Sequence, residues 1–278
     1  MNPASDISVI IPLYNKASSI RRTLRSVVCQ RVQPREIIVV DDGSTDGSAE
    51  IVQSLNAPLV RLLRQQNQGV SAARNRAMAE ASGRWVALLD GDDVWEEDYL
   101  ERVESLISAY PDCGAYGMGF WVETDGRRTL GSFPAQEGEV DFFSLSMTRY
   151  VLIPSATTLN RELALSLGGF PEGMRMGEDQ YLWTKIARTA KVAFKPHAAV
   201  VYSRSAENRS AAIYRAEQTA FSFEDLYDVT ADDMSNEYVA RVALGKALVE
   251  CVRGGSDAAQ RDLRFFSYNR LSKRIERK

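Results

Sequence analysis

The feature that most constrains this chain is a repeated unit in its first 110 residues: an apolar, β-branched run that ends at a polar or acidic lip and passes into an amphipathic helix. Ile7-Ser8-Val9-Ile10-Ile11-Pro12-Leu13 ends at Tyr14 and Asn15, and Ile20, Leu24, Val27 and Val28 then recur at helical spacing. Glu36-Ile37-Ile38-Val39-Val40 runs into Asp41-Asp42-Gly43-Ser44-Thr45-Asp46-Gly47, with Ile51, Val52 and Leu55 beyond. Leu59 to Leu63 precedes a small-residue helix face of Val70, Ala73, Ala77 and Ala81, closed by Gly83. Trp85-Val86-Ala87-Leu88-Leu89 runs into Asp90-Gly91-Asp92-Asp93, and Leu100, Val103, Leu106, Ile107 and Tyr110 follow. Unbroken apolar runs suit strands covered on both faces, and spacings of three and four suit helices packed over them. The fold class is therefore α/β: a mostly parallel sheet flanked by helices.

In such a sheet, ligands bind beyond the carboxyl ends of the strands. Tyr14-Asn15, Asp41-Asp42 and Asp90-Gly91-Asp92 all fall there, which predicts a nucleotide pocket. Asp90, Asp92 and Asp93 repel one another unless a cation sits among them, so they read either as a divalent-metal site or as a turn that caps the next helix. Gly91 lets the chain turn between them. Glu96, Glu97 and Asp98 are expected in the first turn of that helix, where negative charge suits the dipole. A calcium loop starting at Asp42 fails, because its twelfth position is Gln53. Gly114, Gly117 and Gly119 have the wrong spacing for a dinucleotide fingerprint, and no P-loop is present. A diphosphate would need a metal, helix N-termini and arginines.

Composition removes other classes. Cys29, Cys113 and Cys251 are odd in number and widely spaced, which suggests reduced thiols in a cytoplasmic protein. Net charge is −3, against a general nucleic-acid binder. The N-terminus does not read as a signal segment, and no apolar run approaches the roughly 20 residues of a membrane span. With His197 the single histidine, acid–base chemistry must rest on carboxylates.

Beyond Cys113 the pattern loosens. Tyr116 to Val122 reads as a strand, Gly126 to Gly138 as a turn-rich hairpin, Thr157 to Leu159 as a short strand and Arg161 to Leu167 as a helix. Gly177-Glu178-Asp179 opens a helix carrying Leu182, Trp183 and Ile186, and two strands flank Pro196. Acids at a helix start are favoured on dipole grounds, but a carboxylate there can also serve as a general base. Arg74 is a candidate facing the nucleotide cleft, Arg204 and Arg209 are candidates for a lid over a diphosphate, and His197 is a candidate third metal ligand. From Glu207 the chain reads helical, with breaks near Val229-Thr230 and Gly254-Gly255. The expected division is 1–205 for a catalytic domain and 206–278 for a helical extension.

Val9-Ile10-Ile11-Pro12-Leu13-Tyr14-Asn15, Val39-Val40-Asp41-Asp42-Gly43-Ser44-Thr45-Asp46, Asn67-Gln68-Gly69-Val70-Ser71-Ala72-Ala73-Arg74-Asn75 and Leu89-Asp90-Gly91-Asp92-Asp93 together resemble glycosyltransferase family 2. The likeness is close over the first 110 residues and continues loosely through Gly168-Gly169-Phe170 and Gly177-Glu178-Asp179. It implies a GT-A (Rossmann-like) fold and inverting, non-processive transfer of a sugar from a nucleotide-sugar, usually a UDP-sugar, to a saccharide or lipid-linked acceptor in polysaccharide or glycoconjugate assembly. Carried over by position, Asp42 contacts the uracil, and Pro12, Tyr14 and Asn15 line the nucleoside site. Asp90-Gly91-Asp92 matches the Asp-x-Asp motif, with Asp92 the direct ligand of Mn²⁺ or Mg²⁺. Asp179, beside Glu178, matches the catalytic base. The Gln-x-x-Arg-Trp motif of processive synthases is absent.

Two rivals stand beside this reading. A sugar nucleotidyltransferase also pairs a nucleotide with a metal, but Tyr14-Asn15-Lys16-Ala17-Ser18 lacks the glycine-rich loop expected of it. A non-catalytic binding module would have no need of Asp179. The basic C-terminal run of Arg261, Arg264, Arg270, Lys273, Arg274, Arg277 and Lys278, interleaved with Leu263, Phe265, Phe266 and Leu271, reads as a segment packed on the domain, a solvated tail, or an amphipathic helix in peripheral contact with the inner membrane face.

Overall fold

The computed structural model describes residues 5–204, 219–231, 233–252, 260 and 262–266. Strands β1 (Ile7–Leu13), β2 (Glu36–Asp41), β3 (Val60–Arg64) and β4 (Trp85–Leu88) form the parallel half of the sheet in the order β3-β2-β1-β4. The connecting helices are α1 (Ile20–Val28), α2 (Ser48–Ser54) and α3 (Val70–Glu80). Alternation along β1 sends Val9, Ile11 and Leu13 into one core with Leu24 and Val27, and Ile10 into a second with Ala73 and Ala77. That two-sided burial is why the run is apolar at every position but Ser8, whose buried hydroxyl donates to Glu36 Oε1 at 2.9 Å. Each fully buried aliphatic side chain contributes about 1.5–3 kcal/mol.

Past β4 the sheet becomes mixed. In chain order come β5 (Val94–Trp95), α4 (Tyr99–Ala109), β6 (Cys113–Thr124), β7 (Arg127–Leu130), β8 (Gly138–Val140), α5 (Phe142–Ser146), a 3₁₀ turn (Pro154–Ala156), β9 (Thr157–Asn160), α6 (Arg161–Ser166), α7 (Glu178–Thr189) and β10 (Lys191–Ser203). β9 is antiparallel to both β4 and β6, while β10 runs parallel to β6. Hence β1–β4, β6 and β10 all point one way and share one carboxyl edge. α7 leads into β10 from that edge, so its N-terminus stands beside the same lip.

The hairpin expected around Gly126 is β6–β7, turned by Asp125 and Gly126 at φ 49° and 75°. Three expectations change. The two strands around Pro196 are one strand, with a register shift between Lys195 and Ala198 that leaves Pro196 without a partner on β6. The missing proline N–H therefore breaks no ladder bond with β6. Glu96 and Glu97 do not enter α4, which begins at Tyr99 behind Asp98. Pairing of β5 with β10 continues into a bond from Glu96 N–H to Ala199 O at 2.8 Å, and this holds the segment extended. Gly83 is no left-handed cap: α3 has already ended at Ala81, and a Cβ on Gly83 would lie 2.8 Å from Asp6 O and Ser8 N.

In the C-terminal part, a 3₁₀ turn (Phe223–Leu226) and α8 (Met234–Val252) close a small core of Met174, Tyr181, Phe223, Leu226, Val239 and Phe266. Tyr238 of α8 packs edge-on against Phe142 and Phe143. The helix expected up to Val229-Thr230 is absent from the described residues 219–231, where only Phe223–Leu226 forms a 3₁₀ turn and Val229-Thr230 is itself a turn. The start expected at Glu207 and the break at Gly254-Gly255 lie outside the described residues. Among the described residues, no helix is long and apolar enough to cross a membrane.

Candidate active site

At the lip, the loops after β1 and β2 are stitched into one surface. Asn15, at φ 51°, accepts Thr45 N–H at 2.8 Å through its side chain and donates its own N–H to Ser44 Oγ at 3.0 Å. Asp46 accepts Ala17 N–H at 2.8 Å and Ser48 N–H at 3.0 Å. Burial opposes ionisation of Asp46, but the Ser48 hydroxyl, which also donates to it, and these backbone donors outweigh burial and hold the carboxyl below its ordinary range. Pro12 is half-buried and Tyr14 is 43% exposed at the rim. Asp41 accepts Ser44 N–H at 3.0 Å. Asp42, 3% exposed, accepts Gln65 Nε2, Gln68 N–H and Gly69 N–H at 2.8–2.9 Å. Three of its roughly four acceptor positions are thus taken by the loop before α3. Gly43 has φ 78°, and a Cβ there would sit 3.1 Å from Asn67 N, so the backbone that presses on it belongs to that same loop.

The acids after β4 have different partners. Asp90 accepts Arg74 Nη2 at 2.8 Å, and Asp92 accepts Lys16 Nζ at 2.6 Å. Gly91 O accepts Ser19 Oγ at 2.9 Å and Thr23 Oγ1 at 3.1 Å, which docks the loop on the start of α1. Gly91 has an ordinary φ and open contacts, so the turn does not depend on glycine there. Asp93 does not start the helix. It is 1% exposed, accepts Ser155 Oγ at 2.5 Å and Ser203 N–H at 2.8 Å, and thereby ties this loop to the turn before β9 and to the end of β10. Burial, reinforced by the charges of Asp92 and Asp90, holds its carboxyl well above the usual range.

Arg74 connects this loop to α7. Its guanidinium is 3% exposed, bonds Asp90 on one side and Glu178 Oε1 at 3.3 Å on the other, and lies 5.1 Å from the Phe170 ring centre. Burial works to lower its pKa, but Asp90 and Glu178 outweigh that and raise it. Glu178 and Asp179 occupy the first turn of α7 behind Gly177, whose φ is 87°. Burial and the neighbouring Asp179 charge push Glu178 up to about 7. Burial likewise raises Asp179, which accepts Gln180 N–H at 2.8 Å. Buried Tyr238, on α8, is raised by burial and by the charge of Asp179, which puts it within electrostatic reach of that acid.

Sequence reading places Asp90 at the lip by topology, names Arg74 as a candidate for the cleft, and takes Glu178 and Asp179 from a helix start and the family resemblance. The structure joins Asp90, Arg74 and Glu178, and adds Lys16, Ser155 and Tyr238 beside these acids. Lys16 carried a signal, being a cation next to Asn15 at a strand end. Ser155 and Tyr238 carried none. His197 Nε2 lies 3.4 Å from Asp98 Oδ2, so the structure pairs it with the start of α4 and not with Asp90 or Asp92. Arg204 follows Ser203 at the end of β10 and donates its N–H to Glu123 O. Arg209 lies outside the described residues.

Among the described residues, no three His, Cys, Asp or Glu side chains are grouped to cage a metal. The donor set still fits Mg²⁺ or Mn²⁺, hard cations commonly held by one or two carboxylates together with substrate phosphates and water. Asp92 and Asp90 would supply those carboxylates.

A mostly parallel sheet flanked by helices, with acids at its carboxyl edge and a second acid pair on α7, is the arrangement expected of the GT-A fold. The family model for glycosyl transferase family 2 matches residues 8–184, and the chain belongs to that family. Similar proteins include the uncharacterized glycosyltransferase YibD of Escherichia coli, 44% identical over 110 residues, which cover 39% of this chain and 31% of YibD. The chain thus spans well under two thirds of that relative. Among solved structures, Staphylococcus aureus TarS 1–349 in complex with UDP-GlcNAc superimposes with TM-score 0.68 at 23% identity, covering 96% of this chain and 72% of that one. The mannosyltransferase PcManGT of Pyrobaculum calidifontis, in complex with GDP-Man and Mn²⁺, does so with TM-score 0.56 at 21% identity, covering 97% and 81%. The fold is the one they share.

Proposed function

We propose that the chain transfers a sugar from a UDP-sugar, with Mn²⁺ or Mg²⁺, to an acceptor hydroxyl with inversion at the anomeric carbon. The observation that carries this is Arg74, one buried guanidinium holding Asp90 of the diphosphate loop and Glu178 of the base helix. It fixes the spacing between the leaving-group end and the proton-accepting end of a reaction centre, which a binding module has no reason to fix. In this reading Pro12, Tyr14 and Asn15 line the nucleoside, and Asp42 shapes the base site by holding residues 65–69. Asp92 and Asp90 would hold the cation, which would neutralise charge developing on the departing diphosphate. The acceptor oxygen attacks the anomeric carbon opposite the diphosphate and the C–O bond to diphosphate breaks. The acceptor proton passes to Asp179, whose carboxyl is raised by burial above its ordinary range and so makes a stronger proton acceptor. Arg74 and Glu178 are positioning residues.

The division at residue 205 is part of this proposal, with α8 and Tyr238 closing the acceptor side. A cytoplasmic site of action, with the basic C-terminus on an anionic membrane face, rests on sequence alone; of its basic residues only Arg264 lies within the described residues.

The test is a panel of UDP- and GDP-sugars with Mn²⁺, read as nucleotide release with and without saccharide acceptors. Acceptor-stimulated UDP release is the expected result. Pyrophosphate exchange would indicate a nucleotidyltransferase, and UDP binding without turnover on any acceptor would indicate a binding module.

A further inference from the structure

Lys16 leaves the lip of β1 directly after Asn15 and reaches Asp92, with 14% and 13% of the two side chains exposed. Both partners are fixed at their backbones. Lys16 N–H donates to Ser48 Oγ at 2.8 Å, and Gly91 O is held by Ser19 and Thr23. The ion pair is therefore set by two docked loops and is not a chance meeting of solvated side chains. It also satisfies the very carboxylate to which the metal is assigned. An ammonium and a divalent cation on one carboxylate repel each other, so each weakens the other's hold on it. Lysine suits an exchange of this kind, because its compact charge rides on a flexible four-carbon stem whose root can stay pinned while the tip moves.

We propose that Lys16 is an internal counter-ion that holds Asp92 in the donor-free protein. It yields Asp92 to the divalent cation when the nucleotide arrives, and then pairs with the diphosphate. The inference rests on the metal-dependent UDP reading above. The positive charge near Asp92 is thereby supplied from within the chain until metal and diphosphate enter together, so the cation alone binds weakly and its binding is coupled to the nucleotide.

The test measures Mn²⁺ affinity by electron paramagnetic resonance, first without nucleotide and then with UDP, in the wild type and in Lys16→Met, Lys16→Gln and Lys16→Arg. Without nucleotide, the Met and Gln variants are expected to bind Mn²⁺ about tenfold or more tightly than wild type, and the Arg variant within about threefold of it. At saturating Mn²⁺, UDP affinity is expected to fall by about tenfold in the Met and Gln variants. Unchanged or weaker nucleotide-free Mn²⁺ binding in both neutral variants, with wild type still binding Mn²⁺ and UDP together, overturns the counter-ion role and leaves the metal reading intact. Absence of Mn²⁺ binding by wild type and variants even with UDP overturns the metal reading and the counter-ion role with it.

Discussion

In the loop after β2, Asp41, Asp42 and Asp46 are engaged mostly by backbone N–H groups. In the loop after β4, Asp90 and Asp92 are engaged by the side-chain cations Arg74 and Lys16. Both loops end parallel strands of one sheet and both are acidic, yet the difference in partner gives them different work. A backbone amide is fixed by the fold and cannot be exchanged without unravelling it. A lysine tip can be exchanged at little cost to the rest of the molecule. In the proposed reading the first loop is therefore a rigid floor for a base and ribose, and the second an adjustable seat for charge. Asp93 is the exception that defines the boundary, since it lies in the second loop but is fixed like the first, by Ser155 Oγ and Ser203 N–H.

Four substitutions break or sharpen that contrast. The largest effect is expected at the base helix: Asp179→Asn should lower transfer by about 10²–10⁴-fold while UDP affinity stays within about twofold. Steady-state kinetics set beside calorimetric titration would show it, and comparable transfer rates would remove Asp179 from the base role. Next, Asp93→Ala should lose about 2–3 kcal/mol of stability, because it strands the buried Ser155 hydroxyl and removes the acceptor of the half-buried Ser203 amide. Urea denaturation reads this directly, and a midpoint equal to wild type would make Asp93 a site residue after all. Asp42→Ala should lose about 1–2 kcal/mol, as Gln65 Nε2 and the amides of exposed Gln68 and half-buried Gly69 lose their shared acceptor. If its stability matched wild type, the rigid-floor account of the first loop would fail.

The smallest effect concerns pH. Glu178 titrates at about 7 in the folded chain against an ordinary 4.5, so between those values the folded chain binds the extra proton. The stability this proton contributes is full below about pH 4.5 and is lost as pH rises through about 7. Glu178→Gln removes that dependence. Its stability relative to wild type should therefore rise between about pH 5 and about pH 8, by on the order of 1–2 kcal/mol. A constant difference across that range would contradict the raised carboxyl.

Much of this arrangement was legible in the sequence, for a physical reason. A strand buried on both faces has to be apolar throughout, so Val9 to Leu13 and Trp85 to Leu88 announce themselves, and the residues just beyond them fall at the lip by topology. Gly177-Glu178-Asp179 was legible as a helix start. What could not be read is which distant segment completes each acid. Asp93 looks like any helix-capping aspartate until β5 pairs with β10 and brings Ser203 to it. Tyr238 comes to Asp179 only because α8 packs on α5 and α7. Arg74 was placed near the cleft, but the two-sided pairing to Asp90 and Glu178 depends on α3 and α7 meeting across the sheet edge. Local pattern encodes elements and their ends, whereas pairing between elements is set by the packed whole.

The most direct test of the central contrast is UDP binding to Asp92→Ala, titrated with and without Mn²⁺. The expected result is a protein within about 1 kcal/mol of wild-type stability whose UDP affinity no longer responds to Mn²⁺. An unchanged Mn²⁺-dependent UDP affinity would contradict the assignment of the β4 loop as the seat of exchangeable charge.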